Sequence, residues 1–359
     1  MEKTISNNSN MRHRVFFGPV QSILKCVFMD VAESPDYEYC DFGNQVNNRF
    51  KEILMSSKIH NYLPHFVQRK IYRKILGYDF LFLPRDTEIF FAFTNGYAMY
   101  GEPYLPDFLH FLKKEFCHSK YAIHYYETLL NCYPDQLPVM KECFDYMITF
   151  DHNSAENFDI EYYGPVCEKG VVMPAGEGEE SDVLYIAGVS QPKFNRVEFV
   201  ARTFRELADR GKMCIFSLHN AKEADKRVIL DTLGENQVEI KEDCFIYRDS
   251  KFYFRYFTYP RALSYILKTK VMLEIVPRGV ISCTSRLAQA FNAEKKLLTT
   301  SDTCTKEPFY HPNNIASFDE PENIDLSFFD TPYHPVEYDL TPLTMLKYLE
   351  DKVYHTQDN

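Results

Sequence analysis

Along this chain two hydrophobic rhythms alternate. Short apolar runs of strand length are followed again and again by stretches whose apolar residues recur at mixed three- and four-residue spacing, the period of a helix with one buried face. In the first part the strand-like runs are RVFFGPV (14–20), closing on a Gly-Pro turn, YEYCDF (37–42), EIFFAFTN (88–95), YAIHYYE (121–127) and YMITF (146–150). Between them lie the helical patterns NNRFKEILMSS, YLPHFVQRKIYRKIL and LPDFLHFLKKEF (105–116). A second series opens at VLYIAG (183–188) and continues with a helix over 195–210, MCIFSL (213–218), a helix over 259–268, VMLEIV (271–276), a helix over 285–293 and KLLTT (296–300). Strands that alternate with helices predict mostly parallel sheets covered on both faces, an α/β fold.

The two series are separated by GPVCEKGVVMPAGEGEES, rich in Gly, Pro and acidic residues and poor in apolar ones. This predicts a domain over 1–165, a linker over 166–181, a second domain over 182–335 and a closing helix within 336–359. At 359 residues the chain exceeds what a single core usually serves, which agrees with two domains.

Charge narrows the partners. Forty Lys and Arg against 51 Asp and Glu leave a net charge of -11, which opposes sequence-independent binding to nucleic acid. A local basic patch can still hold a small diphosphate, because screening confines fields to about 8 Å in physiological salt. The ten cysteines are scattered, without CxxC or zinc spacing, and fit a reducing cytosol. No apolar run approaches the roughly 20 residues of a membrane span, so a cytoplasmic location is expected. Arg69, Lys70, Arg73 and Lys74 sit together on one helical segment, which suits a solvated face or contact with the anionic inner face of a membrane.

Two loops carry the candidate chemistry. In YIAGVSQPKFNR, Gly188 ends the first strand of the second series, and Lys193 and Arg196 follow it into a helix, a place where backbone and cations can meet a diphosphate. In CTSRLAQAFNAEKKLLTT, Thr284, Ser285 and Arg286 open a helix and Gln289 falls on the same side as Arg286. Capping alone accounts for the hydroxyls but not for an Arg and an amide aligned on one face. Glu274 within the apolar run VMLEIV needs a partner or a ligand. His124, His152 and His219 stand alone near strand ends, where a structural role is the default. GxxxxGK[ST], GxGxxG and GxSxG are all absent, which removes support for P-loop phosphoryl transfer, dinucleotide redox and α/β-hydrolase chemistry. No Asp-x-Asp pair occurs, so a metal-free mechanism is expected, with no metal site and no cofactor.

Five segments together resemble the two-domain GT-B glycosyltransferases of bacterial capsule, lipopolysaccharide and exopolysaccharide clusters. They are FDYMITFDHNSAENFDIEYYGP, SDVLYIAGVSQPKFNR, YPRALSYILKTKVMLEIVPRG, TSRLAQAFNAEKKLLTT, and FYHPNNIASFDEPENI with FFDTPY, covering most of 144–334. The resemblance implies two Rossmann-like domains facing each other across a cleft, with a nucleotide-diphosphate sugar on the second and a saccharide acceptor, lipid-linked, on the first. It places the diphosphate near Gly188, Lys193, Arg196, Thr284, Ser285 and Arg286, and the nucleobase near Tyr259 and Glu274. Gln289 stands where the family commonly has a ribose-binding Glu. If the enzyme inverts, Asp86, Glu88, Glu102 or His124 would take the proton of the acceptor hydroxyl. A second reading stays open at this level: a non-catalytic saccharide- or partner-binding relative that has lost donor binding, motivated by Gln289.

Overall fold

The computed structural model describes residues 12–18, 27–40, 62–94, 105–125, 137–167, 178–188, 196–276 and 282–355. Its chain separates into two compact α/β units, each built like a Rossmann domain. The first contains Met1–Thr149, Phe158–Tyr163 and Pro342–Asn359, and the second contains Phe150–Asn157 and Gly164–Thr341.

The first unit is a six-stranded, wholly parallel sheet in the order β2-β1-β3-β4-β5-β6. The strands are β1 His13–Phe17, β2 Glu38–Cys40, β3 Ile89–Thr94, β4 Lys120–Tyr125, β5 Tyr146–Thr149 and β6 Glu161–Tyr162. Every residue of β3 is buried, as expected of a central strand covered on both faces. Aromatic side chains fill the core: Phe17 stacks on Phe93 at 4.5 Å and meets Phe108 edge-on at 5.8 Å. The last helix, Pro342–His355, packs on β3, β4 and β5 of this unit, and its Glu350 accepts a hydrogen bond from Arg14 Nε at 2.8 Å. The helical pattern NNRFKEILMSS lies outside the described residues.

The second unit has eight strands in the order β14-β13-β12-β7-β8-β11-β10-β9. They are β7 Ser181–Gly188, β8 Cys214–His219, β9 Glu239–Ile240, β10 Cys244–Tyr247, β11 Ser250–Tyr253, β12 Thr269–Glu274, β13 Lys296–Thr299 and β14 Ile315–Ser317. From β14 to β11 every pair is parallel, and β10 and β9 add antiparallel at one edge. The chain winds outward from β7 through β8 to β11, then returns to the opposite flank of β7 with β12 and winds outward again. The direction of winding therefore reverses between β7 and β12, and in open α/β sheets the crevice at the carboxyl ends of such a pair is where ligands bind.

The helices Arg196–Asp209, Tyr259–Lys268 and Ser285–Asn292 form where the sequence pattern placed them. The helix Glu223–Leu233 and the β9–β11 meander were not anticipated. The β10–β11 hairpin turns through Arg248 and Asp249, both at positive φ (46° and 67°), as tight hairpins matched to strand twist require.

Candidate functional site

A parallel sheet gathers the carboxyl ends of its strands along one edge. In the second unit that edge collects Gly188 from β7, His219 from β8, Glu274 from β12 and Thr299 from β13. Two helices start from it, Arg196–Asp209 after β7 and Ser285–Asn292 after β12.

Glu274 explains how the second helix is held. Its carboxylate is 3 % exposed; Oε1 accepts from the Thr284 backbone N–H at 2.8 Å and the Thr284 hydroxyl at 2.6 Å, while Oε2 accepts from the Thr299 hydroxyl at 2.8 Å. Burial pushes the carboxyl above its ordinary range, and the donors from Thr284 and Thr299 pull the other way. Thr284 in turn is the N-cap, its hydroxyl accepting from Arg286 N–H at 3.3 Å. Two expectations change as a result. Glu274 anchors the loop and does not face a ligand, and the Thr284 amide is spent on that carboxylate and is not offered to a diphosphate. Ser285, the first helical residue, is exposed.

Arg286 and Arg196 form a reciprocal clasp across the winding reversal. Arg286, from the helix after β12, donates through Nη2 to the Ile186 carbonyl of β7 at 3.0 Å and through Nη1 to Gln289 Oε1. Arg196, from the helix after β7, donates through Nη2 to the carbonyl of Ile275, just past β12. Its guanidinium lies 5.8 Å from the ring centre of the buried Tyr185. Burial pulls the Arg286 guanidinium below its ordinary value; Cys167, Glu274 and Tyr185 oppose it, and the Arg196 charge adds a smaller push in the same direction as burial. Two half-buried cations thus sit within each other's field at the switch point. Such a pair, only partly offset by the Glu274 charge, favours an anion beside it.

His219 completes the edge; the sequence placed it near a strand end with a structural role as default, not in the site. It pairs in register with Gly188, and a Cβ on Gly188 would lie 2.7 Å from His219 Nε2. Only glycine lets the imidazole rest against the end of β7. Burial, and next the Arg286 charge, push its pKa below the ordinary range. Its meeting with Gly188 could not be read locally, because the contact exists only through strand register.

Of the remaining expected site residues, Lys193 and Glu102 lie outside the described residues. Tyr259 begins the helix Tyr259–Lys268, and only its backbone is described. Asp86 and Glu88 precede β3 and are exposed at the amino-terminal edge of the first sheet, where Glu88 pairs with Arg12 at 2.9 Å. That is the edge opposite to ligand-binding ends, so neither is placed as a base. His124 does lie toward the carboxyl end of β4, but it is fully buried between Thr94 and Ile148 on the neighbouring strands. The basic cluster is partly internal: Arg69 pairs with buried Glu115 at 2.7 Å and Arg73 donates to the Leu81 carbonyl at 2.7 Å, whereas Lys70 and Lys74 are exposed. Among the described residues no group of three or more His, Cys, Asp or Glu side chains is placed to hold a metal ion. Among them, too, no helix is long and apolar enough to cross a membrane.

No family model and no curated protein matches the chain. Solved structures that resemble it include a putative UDP-N-acetylglucosamine 2-epimerase from Listeria monocytogenes, at 8% identity and a TM-score of 0.49 over 98% of each chain. The UDP-forming α,α-trehalose-phosphate synthase of Burkholderia vietnamiensis shares 9% identity, with a TM-score of 0.48 over 96% of each chain. The S. aureus MnaA–UDP structure shares 8% identity, with a TM-score of 0.41 over 96% of this chain and 89% of that one.

Proposed function

We propose that the second unit binds a nucleotide-diphosphate sugar between the carboxyl ends of β7 and β12, and that the protein transfers its sugar to a saccharide acceptor of the surface-polysaccharide kind. The observation that carries this reading is the reciprocal clasp of Arg196 and Arg286. As the bond from the anomeric carbon to the β-phosphate oxygen breaks, negative charge develops on the departing diphosphate. Guanidiniums already fixed at that spot stabilise the charge without reorganising, and no divalent ion is required. The Ser285 end of the Ser285–Asn292 helix adds the positive end of a helix dipole.

The five segments that resemble GT-B glycosyltransferases support a sugar nucleotide over a simple phosphate ester as ligand. In this reading the acceptor is lipid-linked and met at the inner face of the membrane. Exposed Lys70 and Lys74, beside exposed Tyr62 and Phe66 of the first unit, support that contact, each cation contributing about 1 kcal/mol near an anionic surface.

A thermal-stability screen of nucleotide sugars and nucleoside diphosphates in EDTA tests the proposal. A ligand at about a hundred times its Kd stabilises by about 2.7 kcal/mol, a shift of several degrees for a unit of this size. Stabilisation by one nucleotide family, with release of its diphosphate when an acceptor is supplied, is the expected result. No stabilisation by any member, or stabilisation only on adding a divalent ion, would overturn the proposal.

A further inference from the structure

His219 stands at the end of β8 with its ring turned along the carboxyl edge of the sheet toward the switch point. Four observations fix it there. Its in-register partner is Gly188, whose missing side chain leaves the space that the imidazole occupies, with Nε2 2.7 Å from where a Cβ would be. The Tyr256 ring meets it edge-on at 5.3 Å, which sets the plane of the imidazole. Arg286, which reaches β7 through the Ile186 carbonyl, is close enough to act on its charge. Finally, Nδ1 is buried and finds no hydrogen-bond partner among the described residues, a condition that buried polar atoms rarely keep unless something else completes them.

We infer that His219 is a third anion-contacting side chain of this site, and that it takes up a proton from solvent when a diphosphate binds, the ring shifting so that an imidazolium N–H donates to a phosphate oxygen. The inference rests on the donor reading above and deepens it. Among the described residues, the groups facing the imidazole are the Arg286 guanidinium, the Tyr256 ring and the Ala187–Gly188 end of β7. With the guanidinium as its one charged neighbour among the described residues, the neutral ring is favoured, and Nδ1 has no proton to give if Nε2 carries it toward Ala187. A dianion reverses the balance. It offsets the Arg286 charge and offers an acceptor to an imidazolium N–H, so imidazole plus one proton becomes imidazolium at the moment of binding. The number of bonds around phosphorus is unchanged, and the only species consumed is a proton.

The test is calorimetric titration with whichever of UDP, GDP and dTDP binds best, at near-neutral pH in buffers of different ionisation enthalpy, which counts the protons taken up. The ligand's own titration contributes alike to native protein and variants. Native protein should take up more proton than His219→Gln, and the variant should bind roughly tenfold more weakly, the loss of one charge-assisted bond. Gly188→Ala, which displaces the ring without removing it, should lose the extra uptake as well. A carbon-labelled histidine spectrum should show the His219 Cε1 resonance moving to its imidazolium position as ligand is added. Far-UV circular dichroism checks that both variants are folded. Equal uptake in native and His219→Gln protein, or a His219 resonance unmoved by a ligand that binds, would overturn the inference and leave the donor site intact. Native protein that binds none of the three would overturn the donor site itself, and this inference with it.

Discussion

Replacing Glu274 tests whether the donor loop is held as described. In Glu274→Ala the Thr284 N–H loses its acceptor outright, and the Thr284 and Thr299 hydroxyls must find new ones. A fixed buried N–H left unpaired costs about 1–3 kcal/mol, and two mobile hydroxyls and a small cavity bring the total to about 3–5 kcal/mol. Glu274→Gln should be far milder. Its oxygen can keep both Thr284 donors, while its nitrogen faces Thr299 Oγ1, which already accepts from Ser301 N–H at 3.1 Å. Weaker neutral bonds and that crowding are offset by removing a buried charge, so a net change of about 1 kcal/mol is expected. The pH dependence gives the sign. A carboxyl whose folded pKa is raised favours the folded state at low pH, and that contribution is lost as pH rises from its ordinary 4.5 through the folded value. The stability of native protein relative to Glu274→Gln should therefore fall with rising pH. The chain has no Trp, so far-UV circular dichroism with scanning calorimetry is the suitable assay. A cost below 1 kcal/mol for Glu274→Ala, or a native advantage that grows with pH, would refute the reasoning.

Three further outcomes are expected. Gln289→Glu places a carboxylate on the donor that Arg286 now gives to an amide oxygen, so affinity for inorganic pyrophosphate in calorimetry should drop roughly fivefold, about 1 kcal/mol; unchanged affinity would mean Arg286 does not serve the anion. Lys296→Met removes the ammonium that donates to the Phe328 and Phe329 carbonyls and the Thr331 hydroxyl, and should lower the stability of the second unit by about 2–4 kcal/mol in chemical denaturation. Asp86→Asn and Glu88→Gln, at the amino-terminal edge of the first sheet, should leave sugar transfer unchanged, and a large loss of turnover would reinstate them as candidate bases.

Much of the fold was legible because buried strands such as Ile89–Thr94 and amphipathic helices such as Arg196–Asp209 carry strong periodicity. The region between β8 and the Tyr259–Lys268 helix was silent for physical reasons. The helix Glu223–Leu233 buries only Ile229 and Leu233, too few for a clear stripe. The β10–β11 strands have four residues each, and their turn uses Arg248 and Asp249 where Asn-Gly would have announced a hairpin. In the site, the pairing of Arg286 with Gln289 followed from helical spacing. The bonds from Arg286 to Ile186, 100 residues away, and from Arg196 to Ile275, 79 residues away, are products of topology, as is the meeting of Gly188 with His219. Glu274 announced its need for partners as a lone carboxylate in an apolar strand. Which hydroxyls would answer it could not be read from spacing.

The most direct test of the account is a double-mutant cycle on Arg196 and Arg286, each changed to Gln alone and together, with nucleoside diphosphate affinity measured by calorimetry in EDTA. Each single change should weaken binding by roughly 10- to 100-fold. The pair should fall short of the product of the two effects by a coupling of about 1 kcal/mol, because both guanidiniums act on the same diphosphate. Singles that bind within twofold of native protein, or an affinity that disappears on chelation, would contradict it.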